Sequence, residues 1–187
     1  KVKDYFNTEN YNFGDITKLI GVKRSFEIIE KAINERKKIF IYGDYDVDGV
    51  TSTVILYKSL KAIGADVFYY IPNRVRDGYG LNVNAIERLI EKGMDLLITC
   101  DNGIAAIEEI KYAKEKGIDV VIYDHHEPVI KDGKEVLPEA DSVTDAKIEN
   151  CGYDFTVMCA GGLCYRVMKA FYEYLGEKYT LEEEMVI

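Results

Sequence analysis

Three short clusters in this sequence carry side chains able to hold metal ions. The first is Gly43-Asp44-Tyr45-Asp46-Val47-Asp48-Gly49, with a carboxylate at every second position. The second is Cys100-Asp101-Asn102-Gly103, and the third is Asp124-His125-His126, which contains both histidines of the chain. Aspartate oxygens combined with one or two imidazole nitrogens suit a hard-to-borderline cation such as Mn²⁺, with Mg²⁺ as the alternative; a set poor in thiolates argues against structural zinc. Carboxylates held at close quarters repel one another and lose solvation, at a cost of roughly several kcal/mol, which a bound divalent cation removes. Two such ions about 3.5–4 Å apart activate water and stabilise the charge that develops on a phosphoryl group. The chemistry implied is metal-dependent hydrolysis of a phosphoester. One aspartate after a strand is more commonly a helix cap than a ligand; the coincidence of three clusters is what carries weight.

Each cluster directly follows a short apolar run. Lys38–Tyr42 reads as a buried strand, as do residues 66–71, 95–99 and Asp119–Tyr123. Amphipathic stretches alternate with them: residues 23–36, 51–63 up to Gly64, 84–92 up to Gly93, and 104–116 up to Gly117 read as helices with glycine stops. Past Pro128 the pattern weakens, so residues 129–152 are expected to be loop and residues 163–175 a last helix. The βαβα order with continuously apolar strands predicts an α/β fold, a mostly parallel sheet with helices on both faces and the motifs at the carboxyl ends of the strands. In such a sheet those ends share one edge, where ligands bind. Asp44, Asp46 and Asp48 are expected to alternate along extended backbone, with their carboxylates on one side.

The chain has 187 residues, enough for one domain with a full core, and a formal net charge of −9. That charge argues against a stand-alone nucleic-acid-binding module, but carboxylates gathered around cations overstate the negative field a substrate meets. The four cysteines show no CxxC spacing and are read as reduced thiols of a cytoplasmic protein. No stretch has the length of a transmembrane helix, so no membrane partner is expected. The segment 181–187, acidic and then apolar, resembles a helix cut short, so the chain is expected to be a single catalytic domain, residues 1–187, of something longer. No GxGxxG follows the first strand, which weighs against a nicotinamide-binding domain.

The loop after the second strand, Tyr70-Ile71-Pro72-Asn73-Arg74-Val75-Arg76-Asp77-Gly78-Tyr79-Gly80, reaches the same edge. Arg74 or Arg76 could hold a phosphate bidentately, or be solvated, the reading favoured for Arg76. Tyr79 could stack a base or simply pack. Cys159-Ala160-Gly161-Gly162 could present amides to an anion or form a close-packing turn.

Taken in order, Ile41 through Ser52, Tyr70-Ile71-Pro72-Asn73-Arg74 with Gly78-Tyr79-Gly80-Leu81, Asp101-Asn102-Gly103-Ile104 and Asp124-His125-His126 resemble the motifs of the DHH phosphoesterase superfamily. The loop with Pro72-Asn73-Arg74 and Gly78-Tyr79-Gly80 is similar to that of its RecJ family, exonucleases specific for single-stranded DNA, and the resemblance spans residues 23–175. It implies a 5′-to-3′ exonuclease acting in repair and recombination, with single-stranded DNA as its partner and two Mn²⁺ or Mg²⁺ ions. Asp46, Asp48, Asp101 and His125 would be metal ligands, with Asp44 at or beside them; Asp101 and His126 would be catalytic. His126 would contact the scissile phosphate and protonate the leaving oxygen, Asp124 would orient the histidines, and Arg74 would hold a substrate phosphate. The resemblance also implies a further metal-binding aspartate after the last helix, for which no match occurs, a second domain, and an Asn-Pro-like segment where this chain has Thr144-Asp145-Ala146. Alternatives are a DHH phosphodiesterase of short RNA or cyclic dinucleotides, a pyrophosphatase, a scaffold with a relict site, and a haloacid-dehalogenase-like phosphatase with Asp46 as nucleophile. The last leaves Asp124-His125-His126 unexplained.

Overall fold

The computed structural model describes residues 13–180 apart from Arg76 and Tyr79. A short 3-10 turn, Ile16–Lys18, leads into helix α1, Val22–Asn34, and strand β1, Lys38–Tyr42. Helix α2, Val47–Ala62, strand β2, Asp66–Tyr70, helix α3, Val83–Glu91, strand β3, Leu96–Cys100, helix α4, Ile107–Glu115, and strand β4, Asp119–Tyr123, follow. Strands β5, Val129–Lys131, β6, Lys134–Val136, and β7, Ser142–Thr144, precede the last helix, α5, Ala160–Leu175. The main sheet has the order β2-β1-β3-β4-β7, and every pair in it is parallel.

Alternation along the central strands divides the core in two. Ile39 and Ile41 of β1, Leu96 and Ile98 of β3, and Val121 and Tyr123 of β4 pack with α1, α2 and α5. Phe40 and Tyr42, Leu97, and Val120 and Ile122 face the opposite way, against Leu81, Ile86 and Leu89 at α3 and Ile110 and Ala113 of α4. Helices therefore cover both faces of the sheet, as α/β patterning requires. Among the described residues no helix is long and apolar enough to cross a membrane. All four cysteines are free, and Cys100, Cys151 and Cys164 are buried.

Two expectations are corrected. Residues 129–152 are not merely loop: β5 and β6 form an antiparallel hairpin, and β7 extends the main sheet beside β4. The hairpin turns on Asp132 and Gly133, both with positive φ, the conformation that a tight Asp-Gly turn uses. Helix α2 also begins at Val47 rather than at residue 51. Asp44, Asp46 and Asp48 therefore do not share an extended run, because Asp46 is the helix N-cap and Asp48 lies in its first turn. The expectations for Arg76, Tyr79 and residues 181–187 lie outside the described residues.

Candidate metal centre

From β1 the chain steps outward to β2 and then returns to β3 on the other side, so the β1/β3 boundary is where the strand order reverses. A crevice opens at such a switch point beyond the carboxyl ends. Asp44 follows β1 there and Asp101 follows β3, and both are 2% exposed. Asp44 Oδ1 accepts from the Tyr45 backbone N–H at 2.8 Å, and burial holds its pKa above the ordinary value. The turn is tight enough that a Cβ on Gly49 would sit 2.6 Å from the Asp44 Cα. Asp46 accepts from the Gly49 N–H at 2.9 Å, which starts α2. Asp101 adopts φ 61, a left-handed backbone that aspartate tolerates better than most residues. Gly103, with φ 116, completes that turn, and a Cβ there would lie 2.5 Å from Thr99 Oγ1.

Asp48 is held from the far end of the domain. Its carboxylate accepts from the N–H groups of Ala160 at 2.8 Å and Gly161 at 2.7 Å, at the start of α5. The anion that these amides receive is thus an internal carboxylate. Asp48 Oδ2 also lies 3.5 Å from His125 Nε2, and that nitrogen is 3.0 Å from Asp101 Oδ1. Asp124 organises the third cluster: Oδ1 lies 2.7 Å from His126 Nδ1 and accepts from His125 N–H, while Oδ2 accepts from Ile104 N–H. Burial pushes Asp124 upward, but the His126 ring and these amides outweigh it and hold the carboxyl below its ordinary range. The same contact with Asp124 raises His126 to about 8.

Ligand atoms of Asp44, Asp46 and Asp101 lie within 4.8 Å of one another, and so do those of Asp101, His125 and His126. Asp101 belongs to both groups. Burial first, then the Asp48 and Asp46 carboxylates, push Asp101 up to about 8. Among the described residues no lysine or arginine forms an ion pair with Asp44, Asp46, Asp48 or Asp101. An oxygen-rich donor set with imidazole beside it, short of positive charge and sharing one carboxylate, fits a pair of Mn²⁺ or Mg²⁺ ions. Asp48 stands outside both close groups, joined to them through His125.

Arg74 is exposed on the loop after β2, its guanidinium carbon 5.3 Å from the centre of the Tyr45 ring. The loop itself is organised by Asp77, which sequence reasoning overlooked. Its carboxylate accepts from Tyr70 Oη at 2.6 Å, Asn73 N–H at 2.9 Å and Arg88 at 2.8 Å. Asn82 Nδ2 donates to the Asp77 carbonyl, and Tyr42 Oη to that of Gly80. Asp145 was passed over as well. It is 0% exposed at the end of β7, its Oδ1 accepts from Lys147 N–H, and its Oδ2 has no hydrogen-bond partner. The Thr144 carbonyl accepts from Asp124 N–H, so the two carboxylates stand on adjacent strand ends.

A cleft of about 400 Å³ opens beside His126, between Gly80-Leu81 and the turn from Asn102 to Ala106. Another, of about 650 Å³, runs along Asp46, Asp48 and Gly161. A cavity of about 600 Å³ between the start of the described chain and α5 contains none of the clustered residues and has no evident part in their chemistry.

The profile of the DHH family, N-terminal domain, matches residues 38–186. The chain is 41% identical over 173 residues to the single-stranded-DNA-specific exonuclease RecJ of Bacillus subtilis (strain 168), a match covering 92% of this chain and 21% of that protein. Among solved structures it is similar to exonuclease RecJ bound to manganese, with TM-score 0.77 and 32% identity over 88% of this chain and 40% of the other. It is also similar to RecJ in complex with Mn²⁺ from Thermus thermophilus, with TM-score 0.71 and 29% identity over 88% of this chain and 22% of the other. The chain spans less than half the length of each of these relatives.

Proposed function

From the premise that the chain belongs to the DHH family, we propose that it is the metal-binding, catalytic domain of a 5′-to-3′ exonuclease that hydrolyses single-stranded DNA in repair and recombination. The observation that carries this reading is the position of Asp101, shared by the carboxylate group of Asp44 and Asp46 and the imidazole group of His125 and His126 at one switch point. Asp44, Asp46, Asp101 and His125 would hold two Mn²⁺ or Mg²⁺ ions, with Asp48 reached through its contact with His125. Bound there, the ions supply Lewis acidity that activates water and offsets charge on the phosphoryl group. That offset also answers the net charge of −9.

The chain's own residues supply the rest. His126, raised to about 8 by Asp124, carries a proton at neutral pH, and with Nδ1 held by Asp124 its Nε2 is the atom that donates it. Water adds to phosphorus and gives up a proton to solvent, the bond to the 3′-oxygen breaks, and that oxygen takes the proton from His126. Arg74 holds a substrate phosphate with its fork of N–H groups. The cytoplasm is the compartment proposed, since four free thiols persist in a reducing environment.

The test uses the longer parent protein with a 5′-labelled single-stranded oligonucleotide beside its duplex, in Mn²⁺, Mg²⁺ or chelator. Labelled 5′-mononucleotide should appear from the single strand only, and only with metal. Asp101→Asn should lower the rate by more than about 100-fold, beyond the loss of an outer partner of a metal ligand. No release from the single strand, with turnover of short RNA, a cyclic dinucleotide or pyrophosphate instead, would overturn the substrate assignment.

A further inference from the structure

We infer that Tyr45 is a positioning residue that holds the Arg74 guanidinium ready for a substrate phosphate, an inference that rests on the functional reading above and assigns this tyrosine a part in it. Arg74 sits on an exposed loop close to a cluster of carboxylates, its guanidinium beside the ring of the residue between Asp44 and Asp46. Simple electrostatics would draw it into an ion pair with one of them. Yet among the described residues Arg74 pairs with no carboxylate, and its guanidinium lies over the Tyr45 ring at 5.3 Å.

The difference matters chemically. An ion pair with Asp44 or Asp46 would occupy the N–H edge of the guanidinium and compete with a metal for the carboxylate. Attraction to an aromatic ring spends no N–H group on a carboxylate, so the fork stays available for bidentate recognition of a phosphate. It also restricts a flexible side chain before substrate arrives, so less rotamer freedom remains to be lost on binding.

Tyr45 is well placed for this role. It lies between Asp44 and Asp46, is half-buried, and donates its backbone N–H to Asp44 Oδ1. The turn that places the carboxylates therefore also places the ring. Asp77 fixes the loop backbone through Tyr70, Asn73 and Arg88, but none of those bonds reaches the Arg74 side chain. Tyr45 is what ties the guanidinium to the cluster.

Steady-state digestion of single-stranded oligonucleotide by the full-length parent, at saturating Mn²⁺, would be compared for wild type, Tyr45→Phe, Tyr45→Leu, Arg74→Ala and the Tyr45→Leu/Arg74→Ala double variant. Tyr45→Leu should raise KM about tenfold, the loss expected when one charge-assisted contact is misplaced, with kcat within about twofold. Tyr45→Phe, which keeps the ring, should hold KM well below that of Tyr45→Leu. The double variant should be no worse than Arg74→Ala, and both Arg74→Ala and Tyr45→Leu should flatten the dependence of log KM on log salt by about 0.7. Should Tyr45→Leu fail to fold, Tyr45→Trp replaces it: the better cation-binding face should keep or lower KM, and a raised KM would overturn the inference. A wild-type KM in Tyr45→Leu, equal losses in Tyr45→Phe and Tyr45→Leu, or additive losses in the double variant would overturn it while leaving the exonuclease reading intact. A wild type silent on single strands would sink that reading, and this inference with it.

Discussion

Replacing Asp145 by asparagine is expected to stabilise the chain at pH 8 far more than at pH 5. The carboxyl is 0% exposed, and it has one backbone partner, Lys147 N–H, with Oδ2 unbonded. Burial, with the Asp124 carboxylate adding to it, pushes it from 3.8 up to about 7. A folded-state value above the unfolded one means that folding favours the protonated form, so the stability is fully present below 3.8 and is lost as pH rises through about 7. Linkage between those values removes about 2–3 kcal/mol from the wild type between pH 5 and pH 8. Asparagine cannot ionise and escapes that loss. Its extra NH₂ lacks an acceptor, at a cost of about 1–3 kcal/mol, but that cost is the same at both pH values and leaves the pH dependence untouched. Urea unfolding of both proteins in chelator at several pH values measures the difference directly. A gap between variant and wild type that stays constant from pH 5 to pH 8, or that widens toward acid, would refute the assignment of Asp145 as a buried, strained carboxyl.

Two further predictions concern the turn and the histidine. Gly49→Ala would place a Cβ 2.6 Å from the Asp44 backbone, so it should cost about 1–3 kcal/mol and lower the thermal midpoint by about 2–4 °C for each kcal/mol; an unchanged midpoint would show slack in that turn. In metal-free protein followed by NMR, His126 should titrate at about 8, and Asp124→Asn should return it toward 6.5. The sign follows from a raised base: the stability gained from the pair is complete below 6.5 and fades as pH passes about 8. A wild-type titration at 6.5 would remove the Asp124 contact from the account of the site.

Local pattern made most of the sheet legible. The runs Lys38–Tyr42 and Asp119–Tyr123 are strands with the bounds read from their residues, and the second and third strands fall within a residue of theirs, because an apolar run of strand length between helix-period segments has few alternatives. It also placed Asp44, Asp101 and Asp124 at strand ends without knowledge of the sheet order. The Asp-Gly step at residues 132–133 is a local hairpin signal, outweighed by the weak apolar pattern on either side of it. The start of α2 departs from expectation for a different reason: three alternating aspartates look extended, whereas a cap at Asp46 followed by an acidic first turn begins a helix equally well.

What the sequence by itself determined was which side chains stand at one edge of the sheet and what chemistry their types allow, because strand and helix periods are written in neighbouring residues. Only the tertiary structure decided which of them meet. Strand β7 has three residues and little pattern of its own; pairing with β4 makes it a strand and buries Asp145 beside Asp124. Asp48 takes its hydrogen bonds from amides 112 and 113 residues away at the start of α5, and Arg74 settles over Tyr45 across the gap between two loops. Such contacts depend on strand order and helix placement, which are consequences of burying the whole core and leave no mark on the residues nearby.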